Sequence, residues 1–181
     1  MSRRLRLFPV ISCVGILAGA PLGYSEQGKW GIGGAIGAAS PVGSDAVRHN
    51  GTTGVALGAH LSYEATPQLS TEVSYDNLYL GHGQRIEPII FSGVFHRKIE
   101  EGLDPFLQLG AGVGRGIHDA NYDHLSLKAG IGLIYPIGNS LSVGPQVIIH
   151  YADSGAVDRS AYSLTPGIFA TYHFRLIQTQ A

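Results

Sequence analysis

Between Lys29 and Phe174 the chain alternates between apolar side chains and small or polar ones. A period of two marks a strand whose faces meet different surroundings, whereas a helix repeats near 3.6. Eight such segments follow one another, at about 29–39, 52–64, 68–80, 87–98, 104–116, 123–136, 140–151 and 160–174. The second is the plainest. Val55, Leu57, Ala59, Leu61 and Tyr63 fall on one face; Ala56, Gly58, His60, Ser62 and Glu64 fall on the other. In the fifth, Leu107, Leu109, Ala111 and Val113 oppose Gln108, Gly110, Gly112 and Gly114. Short turns are expected at 65–67, 100–102 and 137–139, and longer polar links at 41–51, 81–86, 117–122 and 152–159.

No apolar run near 18 residues follows residue 25, so a membrane-spanning chain would have to cross with strands. Lipid leaves only helices and closed barrels as spanning structures, because unpaired backbone groups are too costly there. The pattern therefore predicts an all-β fold: an eight-stranded antiparallel transmembrane β-barrel with short periplasmic turns and longer outer loops. The apolar face turns to lipid and the small residues fill a narrow lumen. Tyr63, Tyr79, Tyr135, Tyr151 and Tyr172, near strand ends, suit an interfacial girdle.

Composition agrees. Glycine is high at 26 of 181 residues, charged residues are scarce at 14%, and mean hydropathy is near neutral. That is too polar for a helical membrane protein and too rich in glycine for an ordinary soluble domain. A net charge of -1 leaves no basic stripe for nucleic acid. The single cysteine, Cys13, falls in the leader, so the rest of the chain has no disulfide and no thiolate metal site.

Residues 1–25 read as a secretory signal peptide. Arg3, Arg4 and Arg6 precede an apolar stretch from Leu7 to Ala20, and Gly23-Tyr24-Ser25 offers small residues at the cleavage positions. Val10-Ile11-Ser12-Cys13 as a lipoprotein box is the alternative, but the residues after Cys13 stay apolar. The expected organisation is a leader at 1–25, a barrel at 26–174 and a C-terminal extension at 175–181. The expected place is the bacterial outer membrane, with its lipid and lipopolysaccharide as partners.

Asp104-Pro105-Phe106-Leu107-Gln108-Leu109-Gly110-Ala111-Gly112-Val113-Gly114 resembles the PF-x-x-x-G-x-G hallmark of the small outer-membrane β-barrel superfamily, the group of the OmpA transmembrane domain and OmpX. Tyr172-His173-Phe174 resembles the aromatic ending that barrel assembly machinery recognises. That resemblance implies the machinery as a partner through Tyr172 and Phe174, although residues 175–181 follow. The last third is also similar to the lipid A deacylase family (PagL), eight-stranded esterases with a Ser-His-acid triad. The likeness runs through Ser142-Val143-Gly144 and His150-Tyr151 to Gly155. His150 matches the family histidine. The nucleophile position falls on Ala152, the next on Asp153, and the acid near Ser160 or Leu164. The resemblance thus implies a hydrolase centred on His150, with Ser154 as the nearby hydroxyl and Asp158 as the nearest acid. A triad lacking its serine cannot form an acyl-enzyme. Parity also turns His150 to the lumen beside Gln146; a one-residue bulge would reverse that.

Other chemistry is sparse. Asp76 and Lys128 both point inward by parity, as an ion pair that fills the barrel or, alternatively, as a gate or proton path. Glu72, Glu64, His60 and Gln146 are expected to join them, because buried polar groups need partners. His118 and His124 flank Asp119 and Asp123, a set able to hold a divalent ion; a solvated loop is the plainer reading. His82 reads as a polar loop residue and Asn50-Gly51-Thr52 as a turn. Neither metal nor cofactor is expected. The leading function is non-enzymatic: structural, adhesive or surface-interacting through the outer loops. A divergent lipid A 3-O-deacylase-like hydrolase stands second. A narrow pore for small solutes stands third, since eight strands leave little lumen.

Overall fold

The computed structural model describes residues 28–42, 52–80, 85–97, 102–117, 122–154 and 159–175. The leader, the expected extension beyond Arg175 and the centres of the longer links lie outside the described residues. Eight strands follow in order: β1 (Lys29–Val42), β2 (Gly54–Thr66), β3 (Leu69–Tyr79), β4 (Arg85–His96), β5 (Asp104–Ile117), β6 (Tyr122–Ile137), β7 (Leu141–Ser154) and β8 (Arg159–Arg175). Each pairs antiparallel with the next, and β1 pairs with β8, so the sheet closes on itself. No edge is left, which is what allows strands to cross a bilayer.

The strand period sorts the side chains. Val113 is 66% exposed and Ile168 62%, whereas Gln108 is 3% and Lys128 5% exposed. Apolar groups are outside and polar groups inside, the inverse of a soluble protein and the arrangement of a membrane barrel. Aromatic pairs stand at both rims: Trp30 with Tyr63, ring centres 5.1 Å apart, and Tyr151 with Tyr162, 4.9 Å apart.

The strands outrun the apolar pattern in places. β1 continues through Pro41 and Val42, which pair with Ser163 and Tyr162, and β7 continues to Ser154. A link was expected at both places. Side-chain pattern records where lipid ends, but backbone pairing needs no apolar side chain and carries on past it. Ala65 and Thr66 likewise remain in β2 across a register shift, so the turn falls at Pro67 and Gln68.

Register fixes the tilt. Gln68 bonds to His96, and the paired positions then run through Phe106, Gly132, Gln146, Gly167, Gly37 and Ala56 to Leu78. One circuit thus returns to the starting strand ten residues along. Strands in a barrel so staggered are strongly inclined, and residues far apart in count from their turns come to the same height. Two glycines are required by this geometry. A Cβ on Gly112 would land on the Ile89 carbonyl oxygen, and Gly138 makes the β6–β7 turn at φ 65°.

Candidate functional site

The inward residues divide the lumen into two storeys. Nearer the rim of short turns is a cavity of about 830 Å³. Its lining reaches from the turn residues Gly102, Gly138 and Asn139, with Lys29 and Arg175 at the strand ends, up to Asp76 and Lys128. Above it, toward the long links, Ala39, Ala56, Leu78, Leu80, Ile86 and Ala152 form a buried apolar cluster that contributes nothing to the cavity wall. Ile90 and Leu78 are among the most buried side chains of the protein. Among the described residues the barrel is a cup, hollow toward the rim of short turns and filled toward the other, where this hydrocarbon shares the lumen with the buried His124, Ser126 and Ser163.

At the boundary stands Lys128. β5 offers it no obstruction, since Gly110 is its register partner, and its chain crosses to β3. There its Nζ lies 3.2 Å from Asp76 Oδ2 and 3.6 Å from Glu72 Oε1, and donates to Ser74 Oγ at 3.2 Å. Ser74 Oγ donates to Asp76 Oδ2. Gln108 donates to Glu72 Oε1 at 2.7 Å, reaching across β4. One ammonium so placed between two carboxylates neutralises part of their charge, and two neutral side chains occupy further lone pairs. The arrangement braces β3 against β5 and β6.

Asp76, Glu72 and Lys128 are therefore brought together, and Gln108 joins them. Gln146 lines the same cavity, but no side-chain hydrogen bond among the described residues ties it to the group. His60 is the register partner of Ser74 and lies within the field of Glu72, Lys128 and Asp76, while its Nε2 is 2.8 Å from Thr171 Oγ1; Glu64 lies nearer the mouth, 3.5 Å from His173 Nδ1. His173 Nε2 in turn is 3.0 Å from Ser142 Oγ, and His96 Nε2 is 3.3 Å from Ser70 Oγ. The polar lining of the cup thus gathers around Lys128 at mid-depth and around His96 and His173 at the mouth.

Of the three hydrolase residues, only His150 has a described side chain. His150 is 5% exposed, on the lumen side, between Lys128 and Ser163 in register, and its Nδ1 has no hydrogen-bond partner among the described residues. Ser154 is four residues along the same extended strand, roughly 13 Å away at strand rise. That is far beyond hydrogen-bond reach of the imidazole. Ala152 faces inward, Asp153 is exposed, and Asp158 lies outside the described residues. The hydroxyl nearest in register is Ser163, 1% exposed and walled off from lipid. Only the β7–β8 register reveals it, so it was missed from sequence. Gln108 left a trace: it is the polar side chain that stands between Phe106 and the run of glycines on the inward face of β5.

His124 sits inside the barrel and Asp123 is exposed on the outer face, so these neighbours serve opposite sides of the wall. His82, His118 and Asp119 lie outside the described residues. Among the described residues no three His, Asp or Glu side chains converge to hold a metal ion.

No family model matches the sequence, and no curated protein matches it. Solved structures do. Neisserial surface protein A is 15% identical with a TM-score of 0.64, covering 82% of this chain and 98% of its own. The N-terminal β-barrel domain of Pseudomonas aeruginosa OprF is 15% identical with a TM-score of 0.57, covering 82% and 98%. The outer membrane enzyme PagL is 17% identical with a TM-score of 0.50, covering 78% and 97%. At these identities the likeness is one of fold: this chain has the architecture of the small eight-stranded outer-membrane barrels.

Proposed function

We propose that the chain is a bacterial outer-membrane protein, exported through residues 1–25 and assembled through its Tyr172–Phe174 ending, that works at its outer rim rather than through its interior. Its role in this reading is structural or surface-interacting, through the links that leave the ends of β1, β3, β5 and β7. The observation that carries it is the apolar closure above Lys128 and Asp76. A solute path needs open space, and above Lys128 the buried Leu78, Leu80, Ile86 and Ile90, together with His124 and Ser126, fill the lumen.

The test takes the full chain folded into planar bilayers and, in parallel, expressed in outer membranes. The bilayers should stay electrically silent, and mass spectrometry should find lipid A with all its acyl chains. Discrete conductance steps would restore the pore reading. Loss of an acyl chain that disappears with His150→Ala would restore the hydrolase.

A further inference from the structure

The wall that faces lipid carries its charge unevenly. On β3 to β6 the apolar band stops at Tyr75, Ile89, Val113 and Leu125. The next outward positions toward the long-link rim are Asn77, Glu87, Arg115 and Asp123, with Glu87, Arg115 and Asp123 in one register row. One step higher, Tyr79 pairs with Arg85. Across the barrel the same level carries Tyr151, Tyr162, the Ser40–Thr53 hydroxyl pair and a single exposed carboxylate, Asp153 of β7.

The two arginines differ. Arg85 is held: its guanidinium lies 5.0 Å from the centre of the Tyr79 ring, its Nε donates to Asn77 Oδ1 at 2.9 Å, and it pairs with Glu87. Arg115 is exposed on the outer face, with no ion pair to any described residue. Strand parity forces it outward, and its position two residues past Val113 sets it where hydrocarbon gives way to headgroups. A guanidinium there extends along the wall to reach polar groups. The groups present at that depth in an outer leaflet are lipid phosphates, whose oxygens match the guanidinium fork.

We propose that Arg115, flanked by the seated Arg85, is a docking site for the phosphorylated headgroup of an outer-leaflet glycolipid of the lipid A type. The inference rests on the outer-membrane reading. It is nevertheless measured on the isolated barrel, so cell fractionation and lipid binding fail independently.

The experiment uses the full chain refolded in detergent and checked by heat-dependent migration on gels. Native mass spectrometry then measures retention of bisphosphorylated lipid A against its phosphate-free counterpart. The wild type should retain the phosphorylated lipid preferentially. Arg115→Gln should reduce that retention about three- to tenfold, the span between an exposed ion pair and a charge-assisted hydrogen bond. Arg115→Lys should restore part of it, and Lys29→Gln, at the opposite rim, should leave it unchanged. Equal retention of both lipids, or an equal loss with Lys29→Gln, would overturn the proposal. So would retention abolished by a chelator yet indifferent to Arg115→Gln, which would assign the lipid to Glu87 and Asp123 through a divalent cation. Arg85→Gln supplies a second variant should Arg115→Gln not fold.

Discussion

The two storeys of the lumen rest on the same strands and obey the same parity, yet one is hollow and polar, and the other is filled, with hydrocarbon from β3 and β4 beside the buried His124, Ser126 and Ser163. In the lower storey, Lys128, Asp76, Glu72, Ser74 and Gln108 meet across open space through hydrogen bonds. In the upper, Leu78, Leu80, Ile86 and Ala152 meet by direct packing. The first is held by a few directional contacts whose partners cannot be removed singly. The second is held by volume. Alternation along a strand says only that a residue faces in; what it meets there depends on how much side chain the surrounding strands send to the same height.

The largest effect that would break this contrast is expected at Lys128. Lys128→Met leaves Asp76 and Glu72 facing each other in the barrel without their cation, and should cost about 3 kcal/mol in urea unfolding from lipid vesicles. Adding Asp76→Asn and Glu72→Gln should return most of it; no recovery would mean that Lys128 acts by packing alone. Next comes Leu78→Ala in the filled storey, expected to cost about 2–4 kcal/mol. Val94→Ala, a truncation on the cup wall, should cost about 1 kcal/mol or less, because its neighbours on one side are already absent. Equal costs would deny that the storeys are packed differently. The smallest effect is expected at the mouth, where Thr171→Val removes the hydroxyl beside His60 Nε2 and should cost about 0.5 kcal/mol. A neutral result there would show water replacing the hydroxyl without penalty.

Much of the fold was legible in the sequence because a membrane barrel needs strict alternation: one outward charge at mid-depth is expensive, so the pattern stays clean. Strand number, direction, closure and the outward set from Ile32 to Tyr172 follow from it. Pairing beyond the lipid boundary, as at Pro41 and Ser154, leaves no such trace. The candidate site was legible only in part. Parity turns Asp76 and Lys128 inward, but the ten-residue stagger decides which inward groups share a height. It puts Gln108 within reach of Glu72 over the small Ser92, and sends Glu64 to His173 at the mouth instead of to Lys128. The apolar closure was hidden for another reason. Leu78, Leu80, Ile86 and Ile90 sit on lumen parity near strand ends, where each by itself looks like an exception to the alternation. Only their convergence from β3 and β4 turns four exceptions into a plug. Around His150 the register shows what the sequence could not: Ser163 of β8, and not a residue of its own strand, is the hydroxyl beside it.

The pairing of β1 with β8 has a temporal meaning as well. The first strand finds its last neighbour only after more than a hundred intervening residues are in place. Seven strands by themselves would leave two open ladders of backbone donors and acceptors, each an invitation to a foreign strand. Sealing is therefore the latest event the topology permits and the one with the longest loop to close, the property that makes a chain slow to mature. A version lacking residues 159–175 should consequently behave as an aggregating sheet, instead of a smaller barrel.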